Sequence, residues 1–327
     1  MTIAQCANSP FLDLDCAAET KRIETFLNLT TARRLNRRGL VLGVSGGIDS
    51  AVCAALAARA VGPSRVLALL MPESDASDDE ATNRARRLCE SLGIRHEMED
   101  ISASLDAIGC YRRRDEALLR IFPDYQPDWR HKIVIGGGED DQFPHFDIVV
   151  EDKEGRRRSR RLPPDAYLQI VASTNFKQRI RKAMEYHHAE RLNYAVLGTP
   201  NRLEYELGFF VRGGDGLADI KPIAHLYKTQ VYALAAYLDI PEEIRRQPPS
   251  TDTYSLPQTQ EEFYFALSYD RADLVLAAMN NGLSALEAAK ALNLPDRVVA
   301  RAYRDFEGKR RVAARALRSA YLIDEAP

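Results

Sequence analysis

The sequence lacks long apolar runs, an excess of charge of either sign and cysteine pairs with metal-ligand spacing. No stretch approaches the roughly 18 consecutive apolar residues of a membrane-spanning helix. The N-terminus lacks the basic and then apolar segments of a secretory signal. Because 45 Lys and Arg face 47 Asp and Glu, the overall charge attracts neither nucleic acid nor an anionic membrane. We therefore predict a cytoplasmic protein with no nucleic-acid or membrane partner.

The five cysteines are scattered along the chain. Their odd number and the absence of a CxxC motif argue against a disulfide framework, and no HExxH motif supports a zinc site. We predict that they are small apolar residues in a reduced interior. The 327 residues, of which 45% are hydrophobic and 28% charged, are typical of a globular protein with a large buried core.

Apolar runs rich in branched residues alternate with segments of helical periodicity. This pattern predicts an α/β fold, in which an open parallel sheet carries helices on both faces. In such a sheet, ligands bind beyond the carboxyl ends of the strands, so the loops after Val44, Met71 and Leu197 should share one rim. The predicted strands cover 40–44, 66–71 and 194–197, and the predicted helices cover 48–61, 77–93, 174–192 and 226–238.

The alternating pattern breaks between Cys110 and Ser173. We predict a β-hairpin insertion at 111–165 and a C-terminal helical tail at 276–327. The basic run 156–161 follows Gly155 at the expected hairpin tip. RNA or a polyphosphate could bind such a run, but we favour a solvated turn.

The stretch VLGVSGGIDS, residues 41–50, allows two interpretations. Residues 43–47 fit the G-x-S-x-G elbow that exposes a serine nucleophile at a strand-to-helix turn. However, only one predicted strand precedes Ser45, whereas an α/β-hydrolase has several strands before its nucleophile. His225, beyond the central loops, is a weak candidate for the catalytic histidine.

The second interpretation is a phosphate-binding loop, and it explains more of the residues. Gly46 and Gly47 let the backbone approach an anion, Ser45 and Ser50 add hydroxyl donors, and the next helix presents unpaired amides. Asp49 among phosphates requires a cation between them, and Mg²⁺ is held by such carboxylates together with phosphate oxygens.

Residues 45–50 resemble the SGGxDS pyrophosphate loop of the adenine-nucleotide α-hydrolase superfamily, the PP-loop ATP pyrophosphatases. Downstream segments resemble the NAD synthetase family in order and spacing, over roughly residues 20–110 and 173–275. These segments are Asn175–Arg181, Leu197–Thr199, Glu204, Gly208–Phe210, Gly214–Gly216, Ala218-Asp219, Leu226–Gln230, Pro249–Asp252 and Ser268–Asp270.

The resemblance implies a single NAD synthetase-like catalytic domain over 1–327, with an adenine-nucleotide α-hydrolase-like, Rossmann-like fold. It implies an ATP-dependent ligase of the ammonia-dependent type. The carboxylate, deamido-NAD, would attack ATP to give an acyl-adenylate and pyrophosphate, and ammonia would then displace AMP to give NAD. ATP and Mg²⁺ are the cofactors that this reaction implies.

The resemblance also assigns roles to individual residues. Ser45, Gly46, Gly47, Asp49, Ser50, Thr199, Lys228 and Ser250 match ATP-binding positions, and Asp49 and Glu204 match metal ligands. Asp49, Asp215 and Lys228 match catalytic positions, with Asp215 near the incoming ammonia. Asn175, Lys177, Arg179, Arg181 and Asp219 match positions near the dinucleotide substrate.

Three features depart from the family pattern: Gly308 in the C-terminal segment, Gly214 and Leu217 at the Gly-Asp-Gly loop, and the excursion at 111–165, which the compact bacterial enzymes lack. They lie where the family binds or covers the nicotinate half of the substrate, so amidation of a different carboxylic acid stays open, as does a non-catalytic nucleotide-binding protein. The family implies a homodimer. The segment before the loop is too short for a fused glutaminase, so the nitrogen should come from free ammonia or from a separate glutaminase subunit.

Overall fold

The computed structural model describes residues 11–75, 79–136, 145–248, 253–258, 264, 267–320 and 323. The strands are β1 (Leu40–Gly43), β2 (Val66–Leu70), β3 (Arg95–Met98), β4 (Arg130–Gly136), β5 (His145–Glu151), β6 (Arg157–Arg161) and β7 (Ala195–Val196). The helices are α1 (Cys16–Leu29), α2 (Ile48–Val61), α3 (Asp79–Ser91), α4 (Ser102–Ala107), α5 (Cys110–Ile121), α6 (Pro164–Leu192), α7 (Arg202–Leu207), α8 (Lys228–Tyr237), α9 (Glu242–Arg245), α10 (Tyr269–Asn280), α11 (Ala285–Leu292) and α12 (Asp296–Leu317).

The main sheet is parallel, with strand order β3-β2-β1-β7. Alternate residues of β1 face opposite sides: Leu40 and Leu42 pack with α2, whereas Val41 packs with Ala189 of α6. Because helices cover both faces, β1 and β2 are apolar throughout. The predicted α/β fold with an open parallel sheet is confirmed.

The edge strand β3 was not predicted. Its sequence, Arg95-His96-Glu97-Met98, is polar and only partly buried, so it lacks the apolar run that marks the central strands. The predicted helix 174–192 is the C-terminal part of α6, which begins at Pro164. Proline suits the first turn of a helix, where its missing N–H leaves no hydrogen bond unmade.

The segment 111–165 holds more structure than one hairpin. It contains most of α5 and an antiparallel sheet of order β4-β5-β6, with α6 beginning near its end. We call the sheet of β4, β5 and β6 the inserted sheet. It packs through Ile133 and Ile148 against Phe122 and against Ile170 of α6. Trp129 precedes β4 and meets the Tyr125 ring edge-on at 5.7 Å.

The basic run 156–161 lies mostly in the edge strand β6 and only begins in the turn before it. The prediction of a turn is therefore wrong for most of the run, whereas the predicted exposure to solvent holds. Arg157 Nε donates to Glu151 at 2.6 Å. Arg158 pairs with Asp124 at 3.0 Å, and its guanidinium lies 4.8 Å from the centre of the Trp129 ring.

The predicted tail 276–327 begins inside α10. The helices α10, α11 and α12 form a second apolar core with α7, in which Phe306 packs with Leu203 and Leu207. A Cβ on Gly208 would lie 2.9 Å from the Ala313 Cβ, so the end of α7 rests directly on α12. The described part of this segment therefore belongs to the packed structure.

Cys16, Cys53, Cys89 and Cys110 are unpaired, and three of them are buried. For these four, the arrangement agrees with the predicted role of the cysteines as small apolar residues, whereas Cys6 lies outside the described residues. Within the described ranges, the helices are all too short or too polar to span a bilayer.

Candidate active site

A cavity of about 890 Å³ opens at the carboxyl ends of β1, β2 and β7. The loops after Val44, Met71 and Leu197 all contribute to its wall, which agrees with the predicted rim. Side chains along one face of α6, from Glu185 back to Tyr167, continue the wall toward the inserted sheet. The cavity therefore joins the end of the main sheet to the insertion.

The loop between β1 and α2 has the geometry of an anion site. Gly46 has φ +83°, and a Cβ there would collide with the carbonyl oxygen of Ala81 in α3. Gly47 is the N-cap residue of α2, and in the part of the chain that the structure describes it provides no side-chain cap for the first amides of the helix. The free amides of the first turn and the helix dipole favour an anion at this place.

The hydroxyl groups of Ser45 and Ser50 lie 3.3 Å apart, and Ser50 also donates to the Gly47 carbonyl at 3.0 Å. His225 pairs instead with Glu19, at 2.6 Å. Among the described residues, the contacts of Ser45 therefore contain no base that could activate it, and the geometry disfavours the nucleophile elbow.

Three charged side chains meet beside this loop. Lys228, the first residue of α8, is buried and pairs with Asp49 in the first turn of α2. Asn201 donates to Asp49 Oδ1 at 3.4 Å, and its backbone amide donates to Glu204 Oε2 at 3.1 Å. Burial alone would lower the pKa of Lys228, but Asp49 and Glu204 outweigh burial and raise it. Lys228 is therefore a fixed cation at the loop.

The backbone around Lys228 is fixed by a carboxylate from α10. Asp273 accepts hydrogen bonds from the amides of Lys228 at 3.2 Å and of Thr229 at 2.7 Å. Asp273 is fully buried, and burial raises its pKa to about 7 against the opposing effect of these amides. It occupies the N-terminus of α8, where a carboxylate is stabilised by the helix dipole.

Asp215 lines the cavity on the side of α6. Its Oδ1 accepts from the Val211 amide at 2.7 Å. A Cβ on Gly214 would lie 2.9 Å from the Gln178 Cβ, so this loop rests on α6. Burial raises the pKa of the Asp215 carboxyl.

One turn beyond Gln178, α6 carries a buried ion pair. Lys182 Nζ donates to Glu185 Oε2 at 2.6 Å, and both side chains line the cavity. The other oxygen of Glu185 lies 3.2 Å from the position that a Cβ on Gly43 would take. Burial raises the pKa of Glu185, and the Lys182 ammonium opposes the rise in the pKa of Asp215.

Lys177 is buried among acidic groups. Its Nζ donates to Glu73 at 2.7 Å, to Asp75 at 3.1 Å and to the Thr253 carbonyl at 3.2 Å. Arg114 pairs with Asp75 at 2.6 Å. Burial alone would raise the pKa of Asp75, but Lys177 and Arg114 hold it at about 2. We call Lys177, Arg114, Glu73 and Asp75 the buried charge network.

The predicted substrate-binding residues divide into two groups. Asn175, Lys177 and Arg181 line the cavity. Arg179 is exposed and donates to the Arg212 carbonyl at 3.3 Å, and it is absent from the cavity wall. Asp219 is also absent from the wall and accepts from the Val196 amide at 2.8 Å.

Of the predicted ATP-binding residues, Ser45, Gly46, Gly47, Asp49, Ser50, Thr199 and Lys228 line the cavity. Glu204 lines it as well. Ser250 lies outside the described residues. Asn201, Asp273, Lys182 and Glu185 were not predicted, although Asn201 had a signal because Asn three residues before Glu is a capping-box pattern.

A further cluster of metal-ligand type lies away from the cavity. Glu97, Glu99 and His188 bring ligand atoms within 4.8 Å of one another. However, Arg191 donates to Glu97 at 2.8 Å and to His188 Nδ1 at 3.0 Å. The guanidinium therefore offsets part of the negative charge of this cluster and occupies His188 Nδ1.

The chain matches the family model described as NAD synthase over residues 19–119 and 155–313. It is 57% identical to the NH(3)-dependent NAD(+) synthetase of Rhizobium meliloti strain 1021 over 301 residues, 92% of this chain and 90% of that protein. Its fold is similar to NMN synthetase from Francisella tularensis, with TM-score 0.65, 23% identity and coverage of 95% and 99% of the two chains. The NH3-dependent NAD synthetase from Campylobacter jejuni gives TM-score 0.62, 23% identity and coverage of 95% and 100%.

Proposed function

The chain belongs to the NAD synthase family, and from this membership we propose that it amidates deamido-NAD with ammonia in an ATP-dependent reaction. It is then a carbon–nitrogen ligase whose products are NAD, AMP and pyrophosphate. The observation that carries the proposal is the meeting of an anion-binding loop, two carboxylates and a buried lysine in one cavity. ATP and an anionic carboxylate repel each other, and these groups supply the charge that brings them together.

Asp49 and Glu204 are the residues that would hold Mg²⁺. The fit is good in chemical terms, because both offer carboxylate oxygens and Asn201 touches both of them. When bound, Mg²⁺ would withdraw charge from the phosphate oxygens and so favour attack by an anionic carboxylate.

In the first step, a carboxylate oxygen of deamido-NAD bonds to the α-phosphorus of ATP, and the bond to pyrophosphate breaks. The amides after Gly47 and the hydroxyls of Ser45 and Ser50 hold the leaving pyrophosphate. Lys228 offsets the charge that builds up on the phosphates. Asp273 holds the backbone of Lys228 in place by accepting from the amides of Lys228 and Thr229.

In the second step, the ammonia nitrogen bonds to the acyl carbon, AMP leaves with its electron pair, and the nitrogen loses a proton. Asp215 accepts this proton. Its raised pKa supports this role, because a base whose pKa is closer to the working pH holds the proton better.

We also propose that the protein is a cytoplasmic homodimer that uses free ammonia. The family resemblance supports the dimer, and the unpaired cysteines support a reducing compartment. Light scattering on the purified protein measures the oligomeric state. Replacing ammonium with glutamine tests the nitrogen source, because NAD formation from glutamine requires a glutaminase.

The reaction is tested by incubating the protein with ATP, Mg²⁺, ammonium and deamido-NAD. We expect NAD, AMP and pyrophosphate in equal amounts. Asp49→Asn should lower pyrophosphate release at least about a hundredfold, since a metal ligand contributes several kcal/mol to such a step. The matched control is Asp106→Asn, an exposed aspartate of α4.

Three outcomes would contradict the proposal. If AMP forms only with other acids, the carboxylate is wrong. If nucleotide binds but no acid yields AMP, the protein is a non-catalytic nucleotide-binding protein. If Asp49→Asn stays as active as the unmodified protein, Asp49 is not a metal ligand.

A further inference from the structure

The segment 253–258 forms part of the cavity wall and is attached to the inserted sheet. We call residues 253–258 the wall segment. Most of its residues line the cavity, namely Thr253, Tyr254, Ser255, Pro257 and Gln258. In the sequence, the predicted ATP-binding residue Ser250 stands three positions before Thr253. The wall segment therefore follows directly on the stretch that the family resemblance assigns to ATP.

The free edge of β4 holds the wall segment through backbone groups. The His131 amide donates to Ser255 Oγ at 2.9 Å, and the His131 carbonyl accepts from the Leu256 amide at 3.0 Å. Two positions further along β4, the Ile133 carbonyl accepts from the side-chain amide of Gln258. Alternate residues of a strand direct their backbone groups to the same edge, and β5 pairs with the other edge of β4. The wall segment thus covers the edge that β5 leaves free.

The ring of His131 adds a further contact to the same serine. Its Nδ1 lies 3.0 Å from Ser255 Oγ. Burial and the nearby cations Arg114 and Lys177 lower the pKa of His131 to about 3, so the ring is neutral at neutral pH. Because Ser255 Oγ already accepts from the His131 amide, its own hydrogen is left for the ring, and Nδ1 accepts it. One buried histidine therefore binds the wall segment with its backbone and with its side chain.

Packing and a cation fix the beginning of the wall segment. Tyr254 is buried in the same apolar core as Ile133 of β4. Its ring meets the His131 ring edge-on, with the centroids 5.7 Å apart. Lys177 of α6 donates to the Thr253 carbonyl at 3.2 Å. Successive residues of the wall segment are thus held from the insertion and from α6.

We propose that the inserted sheet holds the wall segment in place for ATP, with His131 and Ser255 as positioning residues. Because the wall segment is already bonded to β4, ATP does not have to order this part of the cavity when it binds. The affinity for ATP is higher as a result, since binding loses less chain entropy. This inference rests on the proposed function only in naming ATP as the ligand.

The test combines hydrogen–deuterium exchange without nucleotide with calorimetric titration of ATP in the presence of Mg²⁺. Ser255→Ala removes the oxygen that both groups of His131 contact, and His131→Leu removes the ring acceptor but keeps the backbone. In His131→Asn the side-chain oxygen can replace Nδ1, so this variant should rescue the contact. The matched control is Ser159→Ala, at an exposed position of β6 in the same sheet. Melting curves establish that each variant is folded.

In the unmodified protein we expect slow exchange of the peptide that contains Leu256, because the His131 carbonyl accepts from this amide. Ser255→Ala and His131→Leu should speed the exchange and raise the Kd and KM for ATP about three- to tenfold, as the loss of one buried hydrogen bond does. The kcat at saturating ATP should change less than about twofold, because bound ATP orders the wall segment in either case. His131→Asn should recover most of the affinity.

The proposal is overturned if the wall segment exchanges rapidly in the unmodified protein, or if Ser255→Ala and His131→Leu behave like Ser159→Ala. It is also overturned if kcat falls while the Kd for ATP stays unchanged, or if a folded His131→Asn protein binds ATP as weakly as His131→Leu. A rise in the Kd for deamido-NAD alone would mean that the wall segment positions the acceptor instead, which contradicts the proposal.

Failure of the proposed function gives a different result. The unmodified protein would then form no AMP with any acid. Exchange and ATP titration do not depend on turnover, so they would still decide whether β4 holds the wall segment for the nucleotide.

Discussion

At the scale of single residues, burial and a neighbouring ammonium group act in opposite directions on the Asp215 carboxyl. Burial raises its pKa, and Lys182 counteracts the rise. Glu185 adds negative charge nearby, and Lys221 faces Asp215 from the segment after its own loop. In the proposed mechanism Asp215 accepts a proton only when ionised, so the Lys182–Glu185 pair would help to set the pH range of the second step.

Lys182→Met should therefore move the acidic limb of the pH profile of kcat/KM to higher pH, because the pKa of Asp215 rises when the ammonium is removed. Glu185→Gln should move the limb to lower pH. The profile is measured with the free ammonia concentration held constant, so that titration of ammonium itself does not appear. Lys153→Met, on the exposed turn between β5 and β6, is the control.

A role in packing alone would lower the rate of both variants without moving the limb. If the acidic limb moved in the same direction in Lys182→Met and in Glu185→Gln, that result would likewise contradict the electrostatic explanation. Opposite shifts are expected only if the two charges act on the same carboxyl.

At the scale of elements, the two ends of α2 carry glycines with nearly the same backbone angle. Gly46 has φ +83° and faces the Ala81 carbonyl, whereas Gly62 has φ +88°, and a Cβ there would meet no atom of the described residues within 4 Å. Both conformations are strained for any residue with a Cβ. Comparing alanine substitutions at the two positions therefore distinguishes the free-energy cost of a positive φ from the cost of the contact with the Ala81 carbonyl.

Gly46→Ala should lower the free energy of unfolding by more than Gly62→Ala, which should cost roughly 1–3 kcal/mol through its backbone conformation alone. Gly46→Ala should also weaken ATP binding, because relief of the clash moves the loop away from α3. Urea unfolding and ATP titration measure the two effects. Equal losses of stability with unchanged ATP affinity would show that Ala81 does not shape the loop.

The sequence predicts this region well because the information is local. An apolar run, two glycines and a helical segment stand next to one another, and the predicted helix 48–61 has the bounds of α2. Asp273 had no such signal, since it caps α8 from a segment distant in the chain. Lys182 and Glu185 lie three positions apart, which is the spacing of an exposed ion pair on a helix surface. Only the packing of the folded chain reveals that both side chains are buried.

At the scale of the whole molecule, the buried charge network joins the main sheet to the insertion. Glu73 and Asp75 follow β2, Lys177 lies on α6, and Arg114 lies on α5. The resemblance assigned Lys177 to the substrate, whereas its contacts here are with Glu73, Asp75 and the Thr253 carbonyl. Sequence alone could not distinguish these uses, because the partners are distant in the chain.

Lys177→Met should lower the free energy of unfolding by about 3–5 kcal/mol, because it removes the buried ammonium that pairs with Glu73 and Asp75. Lys153→Met, which removes an exposed pair with Asp128, should cost less than about 1 kcal/mol. Urea unfolding measures both. A Lys177→Met protein of normal stability that has lost affinity for deamido-NAD would favour the role assigned by the resemblance.

The only tryptophan in the chain, Trp129, stands next to Arg130 at the edge of the inserted sheet. Indole fluorescence, excited where tyrosine does not absorb, therefore reports on this sheet alone, whereas circular dichroism reports on all the helices. When the two signals are followed through one denaturation experiment, the separation of their midpoints measures how independently the inserted sheet unfolds. The protein thus carries an optical reporter at its inserted sheet, without any label.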